Sequence, residues 1–538
     1  MDIVKFLIEL SRHKIQIWAD DDKLRVRSPK GSITPEIHQT LTTQKAEILA
    51  FLQEYNQTNN LPVTTSHLSP EQKELLIQQL QLKIPKEVIA ENKSNVNNEF
   101  INIDLAREAI LDNTIQPQSV PGEFNPNPNT IFLTGSTGFL GAFLLQELLN
   151  KTTANIFCLV RGKDIINGKK RIKENLKNYS IWQNNFNSRI IPVVGNLSKP
   201  LFGLSITEFQ ALATKIDVIY HSGALLNFAV PYQALKPINV LGTQEILRLA
   251  ATVKLKTVHH ISSFSVLESD NYHGQIVKET DSLNYGQGMY LGYAQSKWVA
   301  EKMVLNARSQ GLPVCIYRLP FISGHSFTGV WNTQDFTCLM LKGFIEMGTA
   351  PDLQYSLQNS NMLTITPVDY LSKAIVYLSR QKISAGKTFH LNNPYPLDLH
   401  QLNYQAEKLG FQVKYIPYDI WQKQLDKNVN SSADILFTLK PFFVEKITDQ
   451  KVTIAEIYCH PNLPKIDNTA TRQALAKTGI ICPPITWGLM ANYYLYFLYS
   501  GFMDIKYFSW QTIFWLHYLA IIYRMKHIIQ FFLVKFIL

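Results

Sequence analysis

The chain has 538 residues, room for about three or four domain-sized units and a large buried core. Apolar residues make up 46% and charged residues 17%, which excludes a disordered, fibrous or collagen-like chain, and the net charge of +10 contains no Lys/Arg block longer than Lys169-Lys170-Arg171, so no nucleic-acid footprint is expected. Five scattered Cys without a Cys-x-x-Cys exclude a disulfide scaffold or zinc ribbon; no metal site is expected, and a reducing, cytoplasmic location fits.

Residues 1–55 read as a small α+β unit. Asp2, Glu9 and Arg12 interrupt what would otherwise resemble an export signal, so none is expected. Ile3, Phe6, Leu7 and Leu10 share one helix face. Ile15–Trp18 and Leu24–Arg27 alternate around Asp20-Asp21-Asp22, which predicts a hairpin. Thr34-Pro35-Glu36 starts a second helix carrying Leu41, Ile48, Leu49 and Leu52. Residues 56–100, rich in Asn, Gln, Ser and Thr, read as a polar linker with one helical piece near 71–81.

Residues 101–400 alternate short apolar runs with longer periodic segments. The runs are Thr130–Leu133, Ile156–Val160, Ile190–Val194, Val218–His221, Thr257–Ile261 and Val314–Arg318. This pattern predicts an α/β fold, a Rossmann-like doubly wound parallel sheet. Residues 401–503 are mixed and aromatic and read as a substrate-side subdomain. Residues 504–538 form an apolar, aromatic tail whose only Lys/Arg are Lys506, Arg524, Lys526 and Lys535. The stretch 507–523 is short and polar for a span, so two readings stand: an interfacial helix touching a membrane surface, or a helix packed on the protein itself.

The first predicted strand runs into Thr134-Gly135-Ser136-Thr137-Gly138-Phe139-Leu140-Gly141 and then a helical pattern, Ala142–Leu149. Glycines in such a turn let backbone N–H groups approach a pyrophosphate, and the helix N-terminus favours its charge. Gly135, Thr137, Gly138, Phe139, Leu140 and Gly141 are therefore cofactor candidates, with the GxxGxxG spacing of the short-chain dehydrogenase type. The second strand ends at Arg161, where a site for NAD would place an acid. An arginine suits a 2′-phosphate, which favours NADPH; Arg171 is a second candidate clamp. Asn196 and Leu197 end the third strand near an expected adenine. Ser222, Gly223 and Ala224 end the fourth, where small side chains admit a cofactor.

Tyr-x-x-x-Lys places a phenol and an ammonium on one helix face, where the phenol can exchange a proton with a carbonyl oxygen. The chain has three such pairs: Tyr232–Lys236, Tyr293–Lys297 and Tyr404–Lys408. Tyr293–Lys297 follows the strand ending Ile261-Ser262-Ser263-Phe264-Ser265 by about 30 residues and opens the predicted helix Ala294–Ala307, and ligands of open α/β sheets bind at strand carboxyl ends. Tyr293, Lys297 and Ser263 are the catalytic candidates, with Ser262 and Ser265 as alternatives to Ser263.

Together with Val218–Ala224, Asn239-Val240-Leu241-Gly242-Thr243, Arg318-Leu319-Pro320, Thr366-Pro367-Val368-Asp369-Tyr370 and Gly479–Pro483, these motifs resemble an extended short-chain dehydrogenase over about 101–503. Within that superfamily the chain resembles the thioester reductase (terminal R) domains of nonribosomal peptide synthetases and carboxylic acid reductases. Asn196 stands where an acid is usual, and Ser263 where a threonine is. Trp18, Leu24-Arg25-Val26 and Pro29–Glu36 resemble a second family, the TubC-type N-terminal docking domains of hybrid peptide/polyketide synthetases.

The resemblance implies NADPH-dependent reductive release of a peptidyl or acyl thioester, as an aldehyde or onward to an alcohol. The partner it implies is the phosphopantetheine-loaded carrier domain of an upstream synthetase, received through residues 1–55. The linker lacks a Gly-Asp-Ser carrier motif, so a carrier-bound substrate is expected from another chain. Competing readings are a fatty acyl-CoA reductase, an extended short-chain epimerase or dehydratase, and a non-catalytic interaction protein.

Overall fold

A computed structural model describes residues 16–20, 23–27, single positions between 37 and 48, and 103–537 except 118–123, 353–364, 396–403, 405, 429–436, 438, 448–451 and 461; for 527–537 it gives backbone alone. The expected helix over residues 3–10, the entry at Thr34–Glu36 and the linker 56–100 lie outside the described residues. Residues 1–97 and 98–538 are two separate compact units.

In the first unit, β1 (Gln16–Asp20) and β2 (Lys23–Arg27) pair antiparallel, with Ile17 opposite Val26 and Trp18 opposite Arg25. This is the predicted hairpin. Ile37, Leu41 and Ile48 are helical and buried, one face of the second expected helix.

The second unit is built on β3 (Thr130–Thr134), β4 (Asn155–Val160), β5 (Ile190–Val194), β6 (Val218–His221), β7 (Thr257–Ser263), β8 (Val314–Leu319) and β9 (Thr388–His390). They form one seven-stranded sheet in the order β9-β8-β7-β6-β3-β4-β5, each neighbouring pair parallel. Six strands were expected from the sequence. The seventh, β9, is three residues long, too short to leave a periodic signal.

Alternation along the strands feeds two cores. Phe132, Ile219, Val258 and Ile316 face one layer, which contains α3 (Ile206–Lys215), α4 (Gly242–Ala251) and α5 (Gly292–Ser309). Ile131, Leu133, Ile156, Cys158 and Tyr317 face the other, with α1 (Phe139–Lys151), α2 (Ile165–Asn178) and α6 (Val368–Ser379). Burial on both faces explains why these strands read as continuous apolar runs. The strand order reverses at β3, which has β4 on one side and β6 on the other. That reversal opens a crevice at the carboxyl ends of β3 and β6.

Near the C-terminus, α7 (Trp487–Tyr499) packs against α8 (Trp510–Ile537). Leu516, Ala520 and Tyr523 are buried there, and Arg524 donates to the Asn492 side-chain oxygen at 2.9 Å. A side chain at Gly488 would meet the Tyr523 Cβ at 2.6 Å, so glycine permits the close crossing. One face of the tail helix thus packs on the protein, while Trp510, Phe514, Trp515, Tyr518 and Ile521 remain exposed. Among the described residues no helix is long and apolar enough to cross a membrane.

Candidate active site

The site begins in the turn between β3 and α1. Gly135 adopts a left-handed φ of 79°. A side chain there would lie 2.8 Å from the Gly223 nitrogen and the Ser222 carbonyl at the end of β6. A side chain on Gly141 would lie 1.9 Å from the Gly135 carbonyl oxygen, so the first turn of α1 can approach the loop only with glycine there. Gly138 caps α1 without a side-chain hydrogen bond and is exposed, between the half-buried Thr137 and Phe139, so no side chain caps the first-turn N–H groups. The Ser136 hydroxyl is buried without a protein partner. Leu140 is buried beneath the loop.

Thr134 anchors this cradle. Its hydroxyl accepts from the Gly223 N–H at 2.9 Å and lies 2.8 Å from His221 Nδ1. His221 Nε2 is 3.0 Å from the Thr243 hydroxyl, which donates to the Asn239 carbonyl at 2.7 Å. Burial, with Lys297 nearby, lowers His221 to about 3, so this bridge between β3, β6 and α4 is uncharged. A side chain on Gly223 would meet Leu197 Cδ1 at 2.6 Å, which places Leu197, Ser222 and Gly223 together at the crevice mouth. Ala224 is exposed there. The Asn196 side-chain oxygen accepts from the Ser198 N–H at 3.1 Å.

Arg161 is exposed just past β4, and the Arg171 guanidinium on α2 reaches back to the Arg161 carbonyl. Burial and the neighbouring Arg161 charge lower Arg171. Two guanidinium groups therefore share the end of β4, a setting that an anion would relieve. The open glycine cradle, the exposed helix N-terminus and this cation pair fit a dinucleotide with an additional phosphate.

Across the crevice, β7 ends in the serines and α5 begins with Gly292-Tyr293. Lys297 Nζ donates to the Ile261 carbonyl at 2.9 Å. The Ser263 hydroxyl accepts from the Ser265 N–H at 3.1 Å and lies near enough to the Tyr293 phenol to favour its ionised form. Ser262 points the other way, to Glu301, which is paired with Arg318 at 2.6 Å in the interior. Burial pushes Tyr293 up to about 12, with Ser263 opposing and Glu268 adding to the rise. Burial lowers Lys297 to about 8, against the pull of Glu301. Asn239 fixes the base of α5: its side-chain nitrogen donates to the Ser296 hydroxyl at 2.9 Å, which donates to the Tyr293 carbonyl at 2.8 Å.

The other two Tyr-x-x-x-Lys pairs have different roles. Tyr232 and Lys236 both bind Glu108, at 2.7 Å each. Lys408 sits over the exposed Tyr404 ring, 5.0 Å from its centroid. Sequence reasoning did not find the aromatic wall around Tyr293. Phe228 sets its ring against Tyr293 at 5.6 Å, Phe321 at 6.3 Å, Phe336 at 6.3 Å and Tyr458 at 6.2 Å. These residues come from separate segments, and no local spacing marks them. Among the described residues, no cluster of His, Cys, Asp or Glu could hold a metal ion.

Residues 133–375 match the family described as male sterility protein, an NAD-binding family, and residues 3–54 match the TubC N-terminal docking domain. The crystal structure of the terminal R domain from the myxalamid PKS-NRPS biosynthetic pathway is 40% identical, with a TM-score of 0.67, over 74% of this chain and 98% of that one. A linear gramicidin synthase polypeptide of Brevibacillus parabrevis is 37% identical over 424 residues, 78% of this chain but 8% of that protein. Aldehyde reductase lnaA of Aspergillus flavus is 32% identical over 72% of this chain and 38% of its own length. The chain thus spans well under half of these curated relatives. The reductase (R) domain of a Mycobacterium tuberculosis nonribosomal peptide synthetase, 23% identical with a TM-score of 0.58 over 74% of this chain and 98% of that one, shares the fold.

Proposed function

The chain belongs to the terminal reductase (R) domains of nonribosomal peptide synthetases, with a TubC-type docking domain at residues 3–54, and from that premise we propose that it releases a carrier-bound peptidyl or acyl thioester by NADPH-dependent reduction to an aldehyde. The observation that carries this reading is the convergence of Ser263, Tyr293 and Lys297 at the carboxyl end of the sheet, across the crevice from the glycine cradle.

The residues that would hold the dinucleotide are the Gly135–Gly141 loop at its pyrophosphate, Arg161 and Arg171 at its 2′-phosphate, Asn196 and Leu197 at its adenine, Ser222, Gly223 and Ala224 along the crevice, and Lys297 at its nicotinamide ribose. When bound, the reduced nicotinamide supplies a hydride for the thioester carbon. Tyr293 gives its proton to the thioester oxygen as charge develops there. Ser263 holds the phenol in place and offers a second hydroxyl to the same oxygen. Lys297, fixed by the Ile261 carbonyl, supplies the positive charge that stabilises the phenolate left behind. Tyr293 then takes the hydroxyl proton back as the carbon–sulfur bond breaks, and the sulfur leaves on the carrier as a thiolate that takes a proton from water. The aromatic wall of Phe228, Phe321 and Phe336 keeps water from the reacting carbon.

Residues 1–55 are the proposed receiving site for the upstream synthetase, and the loaded carrier arrives from that partner. The direct test incubates the full chain with NADPH and an acyl thioester on a carrier protein and follows the product by mass spectrometry. An aldehyde with stoichiometric NADPH oxidation supports the reading. Unchanged thioester, or hydrolysis to the acid, overturns it.

A further inference from the structure

Glu268 lies just past the short helical turn Phe264–Leu267 that follows β7, with 5% of its surface exposed. Its carboxyl accepts a hydrogen bond from the Tyr458 hydroxyl at 2.6 Å, with Ser265 on the same turn beside it. Three other buried carboxyls of this unit have cations, Glu301 with Arg318, Glu245 with Arg248 and Asp369 with Lys373, and a fourth, Glu279, is held by the Thr471 hydroxyl and the His390 and Thr471 N–H groups. Among the described residues no cation pairs with Glu268. A buried carboxylate with one hydroxyl donor and no cation is costly, and protonation relieves the cost.

The place of this carboxyl in the site is set by Tyr458. Its ring stacks on Phe442 at 5.8 Å and meets Phe228 at 6.2 Å, and Phe228 in turn meets Tyr293 at 5.6 Å. Glu268 and Tyr458 therefore belong to the apolar wall around Tyr293, within electrostatic reach of its phenol. The titratable groups facing Glu268 are Tyr293 from α5 and Tyr458 from the helix Ile454–Tyr458. Lys297, one turn beyond Tyr293, is turned to the Ile261 carbonyl, and His221 and His260 beside it are uncharged.

We propose that Glu268 is a positioning residue for thioester reduction: protonated, it leaves the Tyr293 phenol free to donate, and as a carboxylate it holds the phenol proton back and repels the oxyanion forming beside it. This rests on the thioester-reductase reading above. Glu268 exchanges no bond with substrate; its charge sets the acidity of Tyr293. Burial pushes Glu268 up to about 7, with Tyr458 and Ser265 opposing, so the change falls in the neutral range. The sign follows: the neutral acid, present at lower pH, is the active form, and the rate falls as pH rises through this ionisation.

The test is a pH–rate profile of the full chain with a small soluble acyl thioester and NADPH. Wild-type kcat is expected to fall as pH rises through about 7. Glu268→Gln, which imitates the neutral acid, should hold its rate until Lys297 loses its proton near 8, a shift of about one pH unit. Glu268→Asp should restore an earlier fall. Tyr458→Phe removes a hydrogen bond that favours the carboxylate, so its fall should move to higher pH. Infrared difference spectra of wild type against Glu268→Gln provide a readout without turnover: a protonated carboxyl band that disappears across the neutral range. Cofactor affinity, followed by fluorescence, checks that each variant is folded. Identical pH profiles in wild type and Glu268→Gln, or a carboxyl already ionised throughout the neutral range, overturn the proposal. Absence of thioester reduction in the wild type would instead overturn the functional reading, while the carboxyl band would still decide whether Glu268 holds its proton.

Discussion

Lys297 Nζ reaches the main-chain carbonyl of Ile261 at 2.9 Å, two residues before Ser263 on the same strand. One tie therefore sets the start of α5 against the end of β7 and brings Tyr293 to Ser263. The lysine is held by backbone, so its position does not depend on the identity of the side chains around the reacting carbon.

Replacing Tyr293 with Phe keeps the ring against Phe228 and removes the donor hydroxyl. Thioester reduction should fall roughly 10²–10⁴-fold in kcat, the scale of a lost general acid, while NADPH affinity measured by fluorescence stays near wild type. A variant that reduces thioester at the normal rate would remove Tyr293 from the mechanism.

Arg161 and Arg171 make a separable prediction about cofactor choice. Loss of a charge-assisted contact to the 2′-phosphate should lower kcat/KM for NADPH by roughly ten- to a hundredfold in Arg161→Ala and leave the value for NADH unchanged. Equal values for both cofactors in the wild type would count against a phosphate clamp at this position.

Gly141→Ala tests the packing of the cradle. Its new methyl group would stand 1.9 Å from the Gly135 carbonyl oxygen, a backbone atom that cannot swing aside. Helix and loop must then separate, costing about 1–3 kcal/mol by overpacking. Thermal unfolding should show a lowered Tm, and the KM for NADPH should rise more than kcat falls. An unchanged Tm would mean that the loop yields freely.

Deletion of residues 1–55 separates docking from chemistry. Docking raises the local concentration of a loaded carrier without adding contacts at the reacting carbon. Release from the cognate upstream synthetase should slow, while reduction of a small diffusible thioester stays unchanged. Equal loss on both substrates would assign the unit a structural role, and no loss on either would show that the carrier is received elsewhere.

Much of this architecture is written locally. The apolar runs that became β3 to β8, the glycine turn into α1 and the four-residue spacing from Tyr293 to Lys297 depend on backbone periods of two and 3.6 residues, which neighbouring side chains reveal. The glycine turn was equally legible, because a strand, a glycine turn and a helix N-terminus are consecutive in the chain. Spacing by itself could not choose among three Tyr-x-x-x-Lys pairs or three serines. Tertiary structure gives them different surroundings: Tyr232 and Lys236 are bound to Glu108, Lys408 lies over an exposed ring, and Ser262 turns inward to Glu301 while Ser263 accepts from the Ser265 N–H at the strand end. The pairing of Glu268 with Tyr458 spans 190 residues and has no periodic signature. It exists because the helix Ile454–Tyr458 packs a phenol onto a carboxyl buried beside the end of β7, and burial there raises the carboxyl's pKa.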